Sequence, residues 1–306
     1  LNINAKKYHS LRLENWCLKH SQDPHDGPSL EDETIPEKTY EAAHAELIKF
    51  SKYQTATEIP DKEIPESFDL RDIKGVNYAG KVRNQGDCGS CYANAFIQVI
   101  ENRLRKKHGL FVIPDLSVQQ VVSCNYMTEG CEGGWGIMNG FFAENVPLYP
   151  ETCAPYVDQN NMQLIRKDFR RKKQNMREIA KVSKSYNVEP TEKGIQKELL
   201  KNGMVDIGWS FPMSANMIKY GILKQNAQVL RLILKATKAL TKLTVNPATA
   251  IIGWGIDTND QTKYWIVRNS YGDQWGDKGD FKVQRGVNAF NIESFPGGYD
   301  VELISY

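Results

Sequence analysis

The sequence predicts an α+β fold, helical in its first half and β-rich in its second. Three stretches carry that expectation. The run Tyr92-Ala-Asn-Ala-Phe-Ile-Gln-Val-Ile-Glu-Asn-Arg-Leu has helical periodicity. Residues 248–255 and 264–268 are expected to form the sheet, an expectation that rests on the family resemblance given below. At 306 residues the chain can bury a full core, in one large or two medium domains.

The totals exclude several function classes. With 41% hydrophobic and 25% charged residues the composition is ordinary globular, and a net charge of +2 argues against a dedicated nucleic-acid role. No apolar run reaches the length of a membrane span. The chain starts at Leu1 without a signal-like stretch, so a targeting segment is expected to be removed or absent from this sequence. We expect neither a metal nor a cofactor.

Residues 1–63 are polar, with acidic clusters at Glu31-Asp-Glu and Pro36-Glu, and read as an N-terminal arm or propeptide-like segment ahead of a domain at 64–306. Within the arm, residues 39–52 have helical character.

The chemistry concentrates in Asn84-Gln85-Gly86-Asp87-Cys88-Gly89-Ser90-Cys91-Tyr92. A Gly-bearing turn delivers Cys91 into the start of the helical run, where unpaired N–H groups and the helix dipole favour thiolate. The Cys-Gly-Ser-Cys-Tyr string resembles the papain family of cysteine peptidases, and within it most closely the cathepsin C group. The likeness runs from Ile64-Pro-Glu-Ser-Phe-Asp-Leu-Arg-Asp to Ser305.

That resemblance implies a two-domain papain-like fold, with a helical domain around Cys91, an antiparallel β-barrel-like domain around residues 248–255 and 264–268, and a cleft between them. It implies that Gln85 holds the developing oxyanion together with the Cys91 N–H, although Gln85 can equally satisfy loop backbone groups. Gly133 and Gly134 match the Gly-Cys-X-Gly-Gly loop that pairs with an extended substrate. Cys88 and Cys131 match a family disulfide. Cys124 and Cys153 lack the later partners of the relatives and either pair with each other or stay reduced. Those lost bridges, with the absence of Asn-X-Ser/Thr sequons, point mildly to an intracellular assembly.

A cysteine peptidase also needs a histidine base oriented by an asparagine. Asn269, in Asn-Ser-Tyr-Gly-Asp-Gln-Trp-Gly, stands at the orienting position, with Tyr271 in place of the usual tryptophan. The histidine position is occupied by Pro247, which has no titratable group and no backbone N–H. The five histidines are at 9, 20, 25, 44 and 108. On a continuous helix His108 would lie about 25 Å from Cys91. His9 to His44 reach the cleft only if the arm folds over it.

The expectation is therefore a catalytically silent cathepsin C-like protein that binds a peptide or protein partner. The rival is a working dipeptidyl-type cysteine peptidase acting through Cys91. Two further surfaces are candidates for partner contact: the amphipathic stretch 226–243 and the basic strip 166–173. Each also reads as ordinary structure, a packing helix and a solvated charged face respectively.

Overall fold

The computed structural model describes residues 37–110, 113–158, 178–210, 221–225 and 247–305. The strip 166–173, the stretch 226–243, Cys17, His9, His20 and His25 lie outside the described residues.

The arm forms helix α1 (Glu37–Ile48) followed by a 3-10 turn (Lys49–Lys52), and buries Ala43, Leu47 and Phe50 in the main core. A short strand β1 (Phe68–Asp69) follows and leads to the central helix α2 (Cys91–His108). Every residue of α2 from Tyr92 to Lys106 is buried. Arg105, Lys106, Lys107 and His108 face the negative end of its dipole, and Gly109 closes it at φ 101°, with its N–H on the Arg105 carbonyl.

A helix buried on all sides must satisfy its polar side chains inside the protein. Arg103 donates to Glu198 at 2.8 Å and to the Met204 and Tyr299 carbonyls. Asn102 donates to the Tyr78 carbonyl and accepts the Met204 N–H. Glu101 meets Arg83 at 2.6 Å. The Lys106 Nζ donates to the carbonyls of Leu47 and Leu200, joining the arm to the body.

Helices α3 (Val118–Cys124) and α4 (Gly136–Ala143) complete the helical side, with Ser117 capping α3 by accepting the Gln120 N–H. Then come β2 (Ala180–Asn187), α5 (Glu192–Asn202), β3 (Val205–Gly208), β4 (Ile222–Leu223), β5 (Ala248–Ile256), β6 (Lys263–Arg268), β7 (Asp280–Gln284) and β8 (Pro296–Leu303).

The strands run in the order β2-β8-β3-β5-β6-β7-β4, with β1 beside β5. All pairs are antiparallel except β4 with β7. The path has two ends, so the barrel-like sheet foreseen from sequence is an open, antiparallel-dominated one. Helix α2 packs against β5 and β8, and one hydrophobic core runs through helices and sheet. Among the described residues no helix is long and apolar enough to cross a membrane, and no group of three potential metal ligands forms.

Candidate active site

A cleft of about 510 Å³ opens between the helical side and the sheet. One wall carries Cys91 at the start of α2 and the loop Gly133-Gly134-Trp135 before α4. The other carries Asp206 and Gly208 of β3, Pro247 and Ala248 at the start of β5, and Tyr271. Cys91 is brought to Ala248 because α2 lies against β5.

The loop before Cys91 is held from two sides. Cys88 bonds to Cys131, and the Gly89 N–H donates to the Cys131 carbonyl at 2.9 Å. A Cβ on Gly89 would lie 2.3 Å from that oxygen, so the approach requires glycine. On the other side, Gln85 exchanges bonds with Ser270: its backbone N–H donates to the Ser270 carbonyl at 2.8 Å, and its Oε1 accepts the Ser270 hydroxyl. The glutamine and asparagine segments are thereby tied together. No disulfide joins Cys124 and Cys153.

Gln85 lines the cleft, yet its amide nitrogen donates to the Cys88 carbonyl at 2.9 Å. That is the loop-satisfying arrangement weighed from sequence, and it leaves one amide hydrogen for a ligand. Asn269 is buried, and its side-chain oxygen accepts the Ser270 N–H at 2.8 Å. Tyr271 is exposed at the cleft and packs edge-on to Trp275.

Around the sulfur, the Ala248 N–H donates to Sγ at 3.5 Å. Pro247, the preceding residue, lines the cleft and offers no side-chain acceptor; its carbonyl takes the Trp209 N–H. The helix start was expected to favour thiolate, and here the expectation is corrected. Burial pushes the Cys91 thiol above its ordinary pKa, outweighing the N–H groups of Ala248 and Tyr92, and the Asp206 charge pushes the same way.

The described histidines are elsewhere. His44 meets the Tyr78 hydroxyl at 3.1 Å and lines a separate cavity with Arg103 and Lys106. His108 ends α2, opposite Cys91.

Asp206 escaped the sequence reading. It is 4% exposed, its Oδ2 accepts the Tyr299 hydroxyl at 2.5 Å, and its Oδ1 has no well-formed hydrogen bond. The signal was present: an acid between Val205 and Ile207 in an apolar strand demands a reason. Trp135 and Phe295, both largely exposed, were also missed because neither belongs to the motifs that carried the resemblance.

A cysteine at the start of a buried helix, facing an antiparallel sheet across a cleft, defines a thiol-protease scaffold. Residues 64–297 match the papain family cysteine protease profile, and the chain belongs to that family.

It is 30% identical over 230 residues to cathepsin C of Schistosoma mansoni, covering 72% of this chain and 48% of that protein. It is 31% identical over 237 residues to a viral cathepsin of Heliothis zea nuclear polyhedrosis virus, covering 76% and 56%. The chain thus spans about half the length of these curated relatives. Among solved structures, digestive procathepsin L 3 of Tenebrio molitor aligns with a TM-score of 0.63 at 20% identity, over 85% of this chain and 78% of that one. Bromelain of Ananas comosus, solved with the E64 inhibitor, aligns with a TM-score of 0.60 at 24% identity, over 78% and 100%. At these identities the structural likeness establishes the fold.

Proposed function

We propose that this chain is a catalytically silent, cathepsin C-like member of its family, with residues 64–306 as the papain-like domain and 1–63 as an arm or propeptide-like segment. In this reading the cleft holds an extended peptide or protein segment without cleaving it. The bare backbone at Gly133 and Gly134 supplies the hydrogen-bonding edge, and the chain acts as a binding or assembly subunit.

One observation carries the reading. Pro247 stands in the cleft beside the nucleophile position, where the family places its proton-transferring histidine. Loss of general acid–base participation removes on the order of 10²–10⁴ in rate. A thiol raised by burial and by a neighbouring carboxylate compounds that loss, because the thiolate is the attacking species.

The test is turnover of dipeptide and longer peptide substrates, with labelling of Cys91 by a thiol-directed peptide epoxide. The expected result is negligible turnover and slow labelling, with substantial gain in Pro247→His. Rapid labelling together with efficient turnover by the native chain would overturn the reading in favour of a working peptidase. That rival draws on Cys91 and Gln85 sharing the cleft.

A further inference from the structure

The cleft has a charge pattern that the silent-protease reading does not use. Among its described lining residues two carry charge, Glu132 and Asp206, and both are acidic. Asp206 is the more telling, since it lines the cleft with only 4% of its surface exposed.

A buried carboxylate normally fills its acceptor sites. For Asp206 only the Tyr299 hydroxyl makes a hydrogen bond of good geometry, to Oδ2; the Ile207 N–H acts on the carboxylate more weakly, and Oδ1 is enclosed with no well-formed hydrogen bond. The cation nearest in effect, Arg103, is bonded to Glu198 at 2.8 Å and to three further oxygens. Burial holds the Asp206 carboxyl up at about 6, so at neutral pH it is mostly an anion without an ion-pair partner.

The space around Asp206 is shaped by glycines. A Cβ on Gly136 would lie 2.0 Å from Oδ2, so its absence makes room for the carboxylate. Gly208 and Gly297 border the same part of the cleft, and a Cβ on Gly208 would meet nothing within 4 Å. Trp135 and Phe295 stand in the same cleft, 59% and 68% exposed, as apolar and π-faced surface. A slot of bare backbone, an aromatic rim and an anionic end fit a long unbranched side chain that ends in a cation.

We propose that Asp206 is a specificity determinant that seats the ammonium or guanidinium of a lysine or arginine side chain of an extended peptide bound in the cleft. The inference rests on the peptide-binding reading above, and its test separates the two. The ligand's N–H would supply the donor that Oδ1 lacks, and a neutral isostere would leave it unsatisfied.

The experiment uses the full chain carrying Cys91→Ala, so that no peptide is consumed, and N-acetylated peptides, so that no α-ammonium competes. A scan places lysine, arginine, norleucine, citrulline or glutamate at each position in turn, and affinity is read by fluorescence anisotropy. At one position lysine should bind about tenfold or more tighter than norleucine, and arginine than citrulline. In Asp206→Asn, which keeps an acceptor for the Tyr299 hydroxyl, that preference should shrink to about twofold while the norleucine peptide binds as before.

Equal lysine and norleucine affinities, a preference that survives in Asp206→Asn, or a requirement for the free α-amine would each overturn the proposal. If no peptide binds at all, the peptide-holding reading fails, and n-butylammonium decides the acid site by itself. Its titration should shift the Asp206 carboxyl carbon resonance, while neutral n-pentanol should not. No shift would sink the assignment whatever the peptides do.

Discussion

At Cys91 three influences compete. Backbone N–H groups at the start of α2 and from Ala248 stabilise the thiolate, while burial and the Asp206 charge disfavour it. Because the second set prevails, Asp206→Asn should move the pH midpoint of iodoacetamide alkylation at Cys91 to lower values. An unmoved midpoint would mean that the two groups are not coupled.

Asp206 also has its own linkage to stability. Its folded pKa of about 6 lies above the ordinary 3.8, so the folded state holds the proton more tightly than the unfolded one. The penalty is absent below about pH 4, grows between the two values, and is complete above the folded pKa. Asp206→Asn should therefore be more stable than the native chain at pH 8, by at most about 3 kcal/mol. Below about pH 4 the two should converge, which urea denaturation across pH measures. A residue that costs stability at neutral pH while facing a cleft is the pattern expected of a ligand-contacting group.

Among the elements, α2 bears the largest burden. Its polar residues are legible as part of a helix, yet nothing local says that all its faces are covered. Only the long-range partners Glu198, Met204, Tyr186 and Tyr299 explain why Arg103 is tolerated inside. Glu198→Gln should leave that guanidinium buried without its counter-charge and destabilise the fold by about 3–5 kcal/mol in chemical denaturation. The loop ahead of α2 is legible in a different way. The Cys88–Cys131 bridge spans a sequence separation of 43. Replacing both cysteines by alanine should lower stability by about 2–4 kcal/mol. It should also speed amide exchange across residues 130–134.

Across the whole molecule, Lys106 couples three elements, since its Nζ bridges the arm at Leu47 and α5 at Leu200. Burial, reinforced by Lys201 and Arg103, pulls its pKa down to about 7 from 10.5. The folded state then binds fewer protons than the unfolded one between those values, so stability should rise with pH across that window. Lys106→Met should flatten that slope even where loss of its two hydrogen bonds lowers stability at every pH. A slope that persists would mean that another group is responsible.

The chain's composition and order by themselves determined the family, the expectation of a nucleophile at Cys91, the presence of a proline at 247 and the lack of any histidine beyond residue 108. These were readable because the lack of a titratable group is a property of the residue, whatever surrounds it. Tertiary structure decided what surrounds Cys91. The β3–β5 register sets Gly208 opposite Ala248, and α2 packs on β5, so the Asp206 strand and the sulfur share one cleft. Burial and the distances between charges set the directions in which the Cys91 and Asp206 pKa shift, and both depend on contacts between residues far apart in sequence.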